Sequence, residues 1–468
     1  MPTLPADFLA AMDDIMPAHL DRDAFASICQ TPLRRAIRVN TLKISVADFY
    51  QRMTQKGWQL QPVPWCASGF WPERPDESRP LGNEPEHLLG LYYVQEASSM
   101  LPAEALWHCL QDKPQQVLDM AAAPGSKTTQ LAALMDNQGL LVANEYSASR
   151  IKGLSANLQR LGVANTAITH FAGQALADVV PETFDAILLD APCGGEGTIR
   201  KDPDALKNWS WQHIDEISAV QRQLLHAAFT ALKVGGVLVY STCTLNHQEN
   251  QHVLADLLER EKGNAEVIAL NKLFNEAQLA ATSEGYLHIW PHIYDSEGFF
   301  VAALRKRAAL PDLVAQKRKS RFPFQPVSGK DATLIRQYLQ QQLGFTGPLN
   351  LWQRDGVIWH FAAGAAELSA QLRFERLGLK VVEPAGKDWR VHHDFVMAFG
   401  EQCRQTPLSL AEAAAYLQGR DIPRDGQPPA GEQIVSLDGF ALGAVKALKN
   451  KLKNRLPREL VRDNLTFT

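Results

Sequence analysis

The sequence predicts a multidomain α/β protein whose central part is a Rossmann-like open sheet of parallel strands. The chain has 468 residues, and a domain usually holds about 100–200 residues, so roughly two to four domains are expected. Hydrophobic residues make up 46% of the chain and charged residues 21%, which is ordinary globular composition. From Val117 onward, short apolar runs alternate with helical patterns, and this alternation is typical of βαβ units.

Composition and charge also exclude several classes of protein. No run of about 18 apolar residues occurs, so we expect no membrane-spanning helix. Residues Met1–Asp7 have no basic start and no long apolar core, so we expect no secretory signal. The six cysteines are too few for a disulfide framework and favour a reduced cytoplasm. The net charge of −4 excludes a uniformly basic nucleic-acid binder. Binding of nucleic acid would therefore depend on local clusters of positive charge.

The first 110 residues predict a small mixed α/β module. An alternating run from Ile37 to Leu42 predicts a strand. The arginines around its start, Arg34, Arg35 and Arg38, are candidates for phosphate contacts with RNA. The other elements predicted in this module are a helix at Phe8–Met16, a short strand at Tyr92–Gln95 and a helix that begins within Glu96–Met100.

Residues 111–307 predict the central α/β domain. Long helical patterns at Ile214–Leu232 and Gln248–Glu261 lie between apolar runs that are too short for helices. The strands predicted from these runs are Val117–Met120, Leu140–Asn144, Ala167–Phe171, Asp185–Leu189, Val237–Ser241 and Phe299–Leu304.

Two smaller domains, at residues 308–384 and 385–468, are expected after the central one. A basic run over Arg305–Arg307, Lys317–Lys319 and Arg321 predicts an interdomain linker, and Glu383–Gly386 marks the next boundary. We expect short helices, a loop at Pro423–Gly431 and a basic tail in the last domain. The cations of that tail are Lys446, Lys449, Lys451, Lys453, Arg455, Arg458 and Arg462.

The loop after the first predicted strand, Ala121–Lys127, is suited to ligand binding. Ligands of open α/β sheets bind beyond the carboxyl ends of the strands, and the N–H groups of a helix beginning at Ser126 can hold an anion. A phosphate-binding P-loop needs a glycine directly before the lysine, but Ser126 separates Gly125 from Lys127. The G-x-G-x-x-G pattern of dinucleotide sites is absent as well. A plain tight turn remains the alternative.

An acidic residue ends the second predicted strand. Glu145 follows the first loop by about 20 residues, the position from which a carboxylate in a βαβ unit binds ribose hydroxyls. Taken alone, Glu145 is better explained as a surface residue. Its place in the βαβ frame favours the ribose role.

Two of the six cysteines lie at the ends of predicted neighbouring strands. Asp190 and Cys193 follow the fourth strand, and Cys243 follows the fifth. A single cysteine is usually an inert core residue, but two on the ligand side of a sheet suggest nucleophilic chemistry. The remaining four are interpreted as packing residues, and no Cys/His spacing fits a zinc site. These four are Cys29, Cys66, Cys109 and Cys403.

This set of residues resembles the RNA cytosine-C5 methyltransferases of the NOL1/NOP2/Sun type. The combination of a Pro-Cys pair with a Thr-Cys pair is highly specific to that family. The tail from Gly443 to Pro457 is similar to the family's C-terminal, PUA-like RNA-binding module, and the resemblance weakens after about Lys306. The segments that carry it are Arg34–Leu42, Val94–Met100, Asp119–Thr128, Asn144–Glu145, Asp190–Cys193 and Ser241–Cys243.

The resemblance implies an S-adenosylmethionine-dependent methyltransferase core and an RNA substrate. It is strongest toward bacterial enzymes of the small ribosomal subunit, which implies cytosine 1407 of 16S rRNA, in the 30S subunit, as the target. A cytoplasmic monomer without a membrane partner is expected. The cofactor-binding residues implied by the resemblance are Ala121, Ala122, Ala123, Pro124, Gly125, Ser126, Lys127, Glu145 and Asp190.

The implied mechanism passes through a covalent adduct, because cytosine C5 alone is too weak a nucleophile to attack a sulfonium methyl. Cys243 is the implied nucleophile at C6, and Cys193 assists the elimination that releases the product. Asp190 is expected to hold the cytosine ring at N3 or at the exocyclic amine. DNA cytosine methyltransferases use a Pro-Cys thiol as nucleophile, so the exchanged assignment stays open. The target base has to be unstacked, which favours looped RNA.

Two departures from the family pattern bear on function. Ala172-Gly173-Gln174 stands where the family often has Asp-Gly-Arg, so the carboxylate expected to contact the adenine amine is missing. Gly194 replaces a usual serine. An RNA-binding protein with a decayed methyltransferase core is one alternative, which only Ala172–Gln174 supports. An amino-group methyltransferase is another, but it needs an Asn/Asp-Pro-Pro-Tyr type of loop instead of Pro192-Cys193.

Overall fold

Four β-sheets follow one another along the part of the chain that the structure describes. The structure is a computed structural model, and it describes residues 4–311, 313, 322–386, 388–424 and 430–465. Within these residues, none of the helices is long and apolar enough to cross a membrane.

The N-terminal module is a four-stranded sheet in the order β2-β3-β1-β4. The predicted strand at Ile37–Leu42 is shorter than expected and ends at Val39. The helix predicted at Phe8–Met16 is confirmed with slightly different ends. The elements are α1 (Ala6–Ile15), α2 (Arg22–Cys29), β1 (Ile37–Val39), α3 (Val46–Gln55), β2 (Gln59–Val63), β3 (Cys66–Glu73), α4 (Pro85–Leu88) and β4 (Tyr92–Val94).

The central domain contains the predicted parallel sheet, with apolar helices packed on both faces. Its strands are continuous apolar runs because both faces are covered. The strands are β5 (Gln116–Asp119), β6 (Leu140–Asn144), β7 (Thr166–Thr169), β8 (Phe184–Asp190), β9 (Leu232–Thr242), β10 (Ala265–Ile268), β11 (Leu287–Ile289) and β12 (Phe299–Lys306). The helices are α5 (Leu101–Cys109), α6 (Ser126–Leu134), α7 (Ala148–Arg160), α8 (Leu176–Val179), α9 (Trp211–Ala231), α10 (Gln251–Arg260) and α11 (Pro291–Tyr294).

Strand order places the loops that carry the candidate residues side by side. Strands β9, β8, β5, β6 and β7 are neighbours in that order and pair in parallel, so their carboxyl ends share one edge of the sheet. Strand β12 pairs antiparallel with β9 and brings the segment before Phe299 to the same edge. The carboxyl ends of five parallel strands and the amino end of β12 therefore lie along one edge of the sheet.

The prediction that Arg305–Arg307 begins a linker was wrong. Arg305 and Lys306 belong to β12, and the Lys306 side chain is fully buried. Its ammonium contacts Glu182 Oε1 at 3.0 Å and donates to the carbonyl of Leu232 at 2.9 Å. A buried ammonium is tolerated because these partners replace its water. Lys317–Lys319 and Arg321 lie outside the described residues.

The third sheet has the order β13-β14-β15-β17-β18. It continues past the boundary expected at residue 384, because Glu383 and Pro384 pair with Arg390 and Trp389. One strand of this region, β16, instead extends the central sheet beside β7. The elements are β13 (Gln325–Pro326), α12 (Gly329–Tyr338), β14 (Leu351–Arg354), β15 (Val357–His360), α13 (Ala365–Leu368), β16 (Phe374–Leu377), β17 (Leu379–Ala385), β18 (Asp388–Val391) and α14 (His393–Phe399).

The C-terminal segment is a five-stranded sheet in the order β19-β21-β22-β23-β20. The short helices expected in this domain are confirmed as α14 and α15, but the interpretation of its basic end as a tail was wrong, because that segment supplies β22 and β23. Residues 425–429 of the expected loop lie outside the described residues. The elements are β19 (Gln405–Pro407), α15 (Leu410–Leu417), β20 (Ile422–Pro423), β21 (Gly431–Leu437), β22 (Phe440–Leu448) and β23 (Lys451–Asn454).

Candidate active site

The two cysteines predicted at neighbouring strand ends meet in the structure. Asp190 of β8 is in register with Ser241 of β9, so the loops that follow these residues start level. The Sγ atoms of Cys193 and Cys243 lie 3.0 Å apart, and the Cys243 N–H donates to Cys193 Sγ at 3.3 Å. Both thiols can therefore contact one bound base.

A buried carboxylate that sequence reasoning missed holds the Cys193 loop. Glu249 Oε2 accepts from the Gly194 N–H at 2.9 Å and from Gln221 Nε2 at 2.8 Å. Gln221 also donates to the Pro192 carbonyl at 2.9 Å. A Cβ at Gly194 would lie 2.8 Å from Glu249 Oε1. The glycine found here instead of serine therefore leaves room for this carboxylate.

A second buried carboxylate, Glu196, fixes the Cys243 loop. Its Oε1 accepts from the N–H groups of Leu245 at 2.9 Å and Asn246 at 2.7 Å. The Asn246 side chain donates to both Glu196 and Glu249, and so links the two loops. The Glu in Gly-Gly-Glu-Gly after Cys193 was the sequence signal for this role, but a glycine-rich loop does not reveal which acid is buried.

Electrostatics bear on the protonation of the Cys193 thiol. The hydrogen bond with Cys243 and burial raise the pKa of Cys193 well above its usual range. Cys193 is therefore held as a neutral thiol while the base site is empty. Lys127 adds a positive charge beside the site, and the pKa of this ammonium is raised, against the effect of burial, by Asp190.

Asp190 and Lys127 form one polar unit at the end of β8. Lys127 Nζ lies 2.7 Å from Asp190 Oδ2 and donates to Ser99 Oγ at 2.8 Å. Asp190 Oδ1 accepts from Ser241 Oγ at 2.7 Å. The Asp190 carboxylate thus has a donor on each oxygen.

The loop between β5 and α6 has the close backbone approach that its small residues predicted. Gly125 adopts φ 103°, a conformation that favours glycine, and caps α6. Glu145 is only 3% exposed, so the surface alternative was wrong. Its Oε2 accepts from the Ala123 N–H at 3.1 Å, and its Oε1 accepts from the Ser147 N–H at 2.8 Å.

A cavity of about 670 Å³ runs along this edge of the sheet. It extends from the two cysteines past Glu145 to Ala172–Gln174, the segment that departs from the family pattern. A second cavity, of about 330 Å³, opens on the other side of Asp190. Cys243 and Asp190 line both cavities, so the thiol stands at their junction.

The three arginines predicted to contact phosphates differ in burial and in their contacts. Arg38 is buried and donates to Gln95 Oε1 and Thr129 Oγ1, both at 2.8 Å, so its expected phosphate contact was wrong. Arg34 stacks on Trp71 at 4.2 Å and pairs with Asp295. Arg35 is exposed and remains a candidate.

Comparison with known proteins places these features in a family. The family model described as 16S rRNA methyltransferase RsmB/F matches residues 107–305. Models for the N-terminal, pre-PUA and PUA domains of methyltransferase RsmF match residues 4–97, 324–399 and 403–462. A relative from Aeromonas hydrophila, called ribosomal RNA small subunit methyltransferase F, is 53% identical over 99% of this chain and 98% of its own length. The chain belongs to the RsmB/F family.

Further relatives agree with membership of the RsmB/F family. The Escherichia coli protein called ribosomal RNA small subunit methyltransferase F is 51% identical over 99% of this chain and 98% of its own. Among crystal structures, a methyltransferase homolog from Pyrococcus horikoshii is 36% identical, with a TM-score of 0.52. That match covers 65% of this chain and 100% of the homolog. The chain is therefore an rRNA methyltransferase, with a methyltransferase core followed by pre-PUA and PUA domains.

RsmB/F enzymes are of the S-adenosylmethionine-dependent type, and the residues of the larger cavity suit that cofactor. Glu145 offers buried carboxylate oxygens that can accept from ribose hydroxyls. Met120 and Leu224 supply an apolar wall, and Asp190 lies toward the thiols. A volume of about 670 Å³ lies within the usual range of cofactor pockets.

Proposed function

We propose that this enzyme methylates C5 of a cytosine in 16S rRNA, at cytosine 1407, through a covalent adduct with Cys243. The observation that carries the proposal is the 3.0 Å separation of Cys193 Sγ and Cys243 Sγ at the junction of the two cavities. A methyl transfer to an amine or a hydroxyl has no need of two adjacent thiols. Transfer to C5 uses both, one to activate the ring and one to complete the elimination.

Each side chain then has a defined task. S-adenosylmethionine supplies an electrophilic methyl group when bound. The Cys243 thiolate adds to C6, and the electron density displaced from the C5–C6 bond makes C5 nucleophilic. After transfer, the C5 proton is lost as the bond between Cys243 and C6 breaks, and Cys193, whose Sγ lies 3.0 Å from Cys243 Sγ, assists this elimination. The Asp190 carboxylate accepts from the exocyclic amine of the ring, and the ion pair with Lys127 holds that carboxylate in position.

The cofactor loop is positioned by the protein itself. Within the loop Ala121–Lys127, Ala121 and Ala123 line the larger cavity, and Glu145, which lines the same cavity, fixes the loop through the Ala123 N–H. Lys127 lines the smaller cavity. Because these contacts involve no RNA, the cofactor site should be formed in the free enzyme.

The substrate is proposed to be 16S rRNA within the 30S subunit, bound by a cytoplasmic, monomeric enzyme. Support comes from the PUA match at residues 403–462 and from the small-subunit names of the relatives. Deletion of the gene, followed by bisulfite mapping of 16S rRNA, tests the target. Loss of 5-methylcytosine at position 1407, restored by the purified enzyme acting on deletion-strain 30S subunits, is the expected result. Loss of 5-methylcytosine at a different position would refute the assignment of cytosine 1407 but would leave the proposed C5 methylation intact. Loss at no position would refute the proposed function.

A further inference from the structure

The smaller cavity contains a buried acid that the mechanism above leaves unused. Glu297 is 3% exposed and lines this cavity together with Cys243, Asp190 and Lys127. Its Oε1 has no hydrogen-bond partner among the described residues, and Lys201 Nζ lies 3.8 Å away. A buried carboxyl oxygen without a partner is costly unless a proton or a ligand satisfies it.

The backbone ties Glu297 closely to the nucleophile. The Gly298 N–H donates to the Gly197 carbonyl at 2.9 Å, and the Gly197 N–H donates to the Cys243 carbonyl at 2.9 Å. A Cβ at Gly197 would lie 2.2 Å from the Gly298 oxygen, so glycine is required for this approach. The acid is therefore held beside Cys243 by two successive main-chain contacts.

The charges around Glu297 favour its protonated form. The Glu297 N–H donates to Glu96 Oε1 at 3.3 Å, which brings a second carboxylate beside it. Burial and Glu96 raise the pKa of Glu297 to about 8, while Lys201 and Lys127 oppose this shift. Tyr93, Arg150, Asp190 and Cys243 are the other titratable groups that line the same cavity. Near pH 7 the Glu297 carboxyl is thus an O–H donor, while Asp190 accepts on both oxygens.

We infer that Glu297 is the proton donor to N3 of the target cytosine. This inference rests on the proposed covalent mechanism. When Cys243 Sγ bonds to C6, the C5–C6 π pair moves to C4–C5, and the C4–N3 π pair moves to N3. N3 takes the proton of Glu297, which becomes a carboxylate. After methyl transfer to C5, loss of the C5 proton and cleavage of the S–C6 bond restore the C5–C6 double bond. The N3 proton then returns to Glu297.

Attack and methyl transfer can be measured without the final elimination by using RNA that contains 5-fluorocytosine. Fluorine at C5 cannot leave as a proton, so the enzyme remains bonded to C6 and the adduct is counted on a denaturing gel. Glu297→Gln keeps the shape and a donor N–H but has no transferable proton. We expect it to slow adduct formation about 100-fold, with the affinity for S-adenosylhomocysteine unchanged by calorimetry. Glu259→Gln, an exposed change on α10, is the matched control and should have no effect.

The pH profile separates proton donation from a structural role. Adduct formation by the native enzyme should fall as the pH rises through about 8, the pKa of Glu297, because only the protonated acid donates. Glu96→Gln removes the neighbouring negative charge and should shift this fall to lower pH, even if Glu297→Gln does not fold. In Glu297→Gln the fall should be absent. An unshifted fall in Glu96→Gln, or native rates in Glu297→Gln, would overturn the inference. A native enzyme that forms no adduct would instead refute the proposed function.

Discussion

Cys193 Sγ and Cys243 Sγ lie 3.0 Å apart, although 49 residues separate them in the chain. Parallel pairing of β8 with β9 brings the two strand ends level, and the carboxylates of Glu249 and Glu196 then hold the loops. A thiol pair in this position suits a reaction that forms and later breaks one carbon–sulfur bond. Substituting each thiol separately assigns the attack on C6 to one of them.

The first prediction assigns the thiols. Cys243→Ala should abolish methylation and form no covalent RNA species. Cys193→Ala should still attack and transfer the methyl group, but it should accumulate a protein–RNA adduct, because the group that completes the elimination is missing. Denaturing electrophoresis with labelled RNA measures both, and the double variant should show no adduct. Adducts from Cys243→Ala alone would exchange the two roles. Activity without adduct in both single variants would exclude covalent catalysis.

The second prediction concerns the cofactor site. Glu145→Ala should weaken binding of S-adenosylmethionine in the absence of RNA by about 1–3 kcal/mol, because ribose hydroxyls and the buried Ala123 N–H lose their acceptor. Calorimetry with the free enzyme measures the change. Glu266→Ala, on the edge strand β10, is the control and should bind normally. Unchanged affinity in Glu145→Ala would contradict the ribose assignment.

The third prediction uses a pair of lysines in the C-terminal sheet. Lys446 of β22 lies directly opposite Lys453 of β23, and both are exposed. Lys446 also lies opposite Glu432 of β21, so the three side chains together leave one positive charge in excess, which can contact a phosphate. Replacing both by Ala should reduce the magnitude of the negative slope of log K for RNA against log salt by about 2, because two phosphate contacts are lost. Fluorescence anisotropy at several salt concentrations measures the slope.

The control for this pair is Lys113→Ala, which lies just before the amino end of β5, on the opposite edge of the sheet from the thiols. Its salt slope should equal that of the native enzyme. Deleting the whole C-terminal domain is a poorer test, because buried residues of that sheet and of the N-terminal module share one hydrophobic cluster. An unchanged slope in the double variant would remove these lysines from the RNA interface.

The fourth prediction concerns the pH dependence of stability. Burial raises the pKa of Asp119 to about 7, against the hydrogen bond from Thr128 Oγ1 at 2.6 Å. A raised carboxyl pKa stabilises the folded state below the unfolded pKa near 4, and this contribution is lost as the pH rises through about 7. Asp119→Asn should therefore flatten the stability profile between those limits, by a few kcal/mol at most. Denaturant titrations at pH 5 and pH 8 measure this. An equally steep profile in the variant would assign the loss of stability to other groups.

Sequence reasoning predicted the central sheet and the residues at its carboxyl edge because both depend on local patterns. Apolar runs bounded by small residues fix where strands stop, and the loops that follow hold Ala121–Lys127, Glu145 and both cysteines. It failed for the C-terminal sheet, because β22 carries small and cationic residues that resemble a tail until β21 and β23 pair with it.

By itself, the sequence determined the βαβ order, the chemistry available at the strand ends and the family resemblance. Only the tertiary structure decided which charged side chains are buried. Lys306 and Arg38 occur in ordinary basic runs, and each becomes buried because partners distant in the chain replace its water. Glu249 and Glu297 carry no local signal of their roles, and the glycine-rich loop around Glu196 does not reveal that this acid is buried. Their burial and hydrogen bonds arise only when loops from different strands pack together, and periodicity cannot encode that.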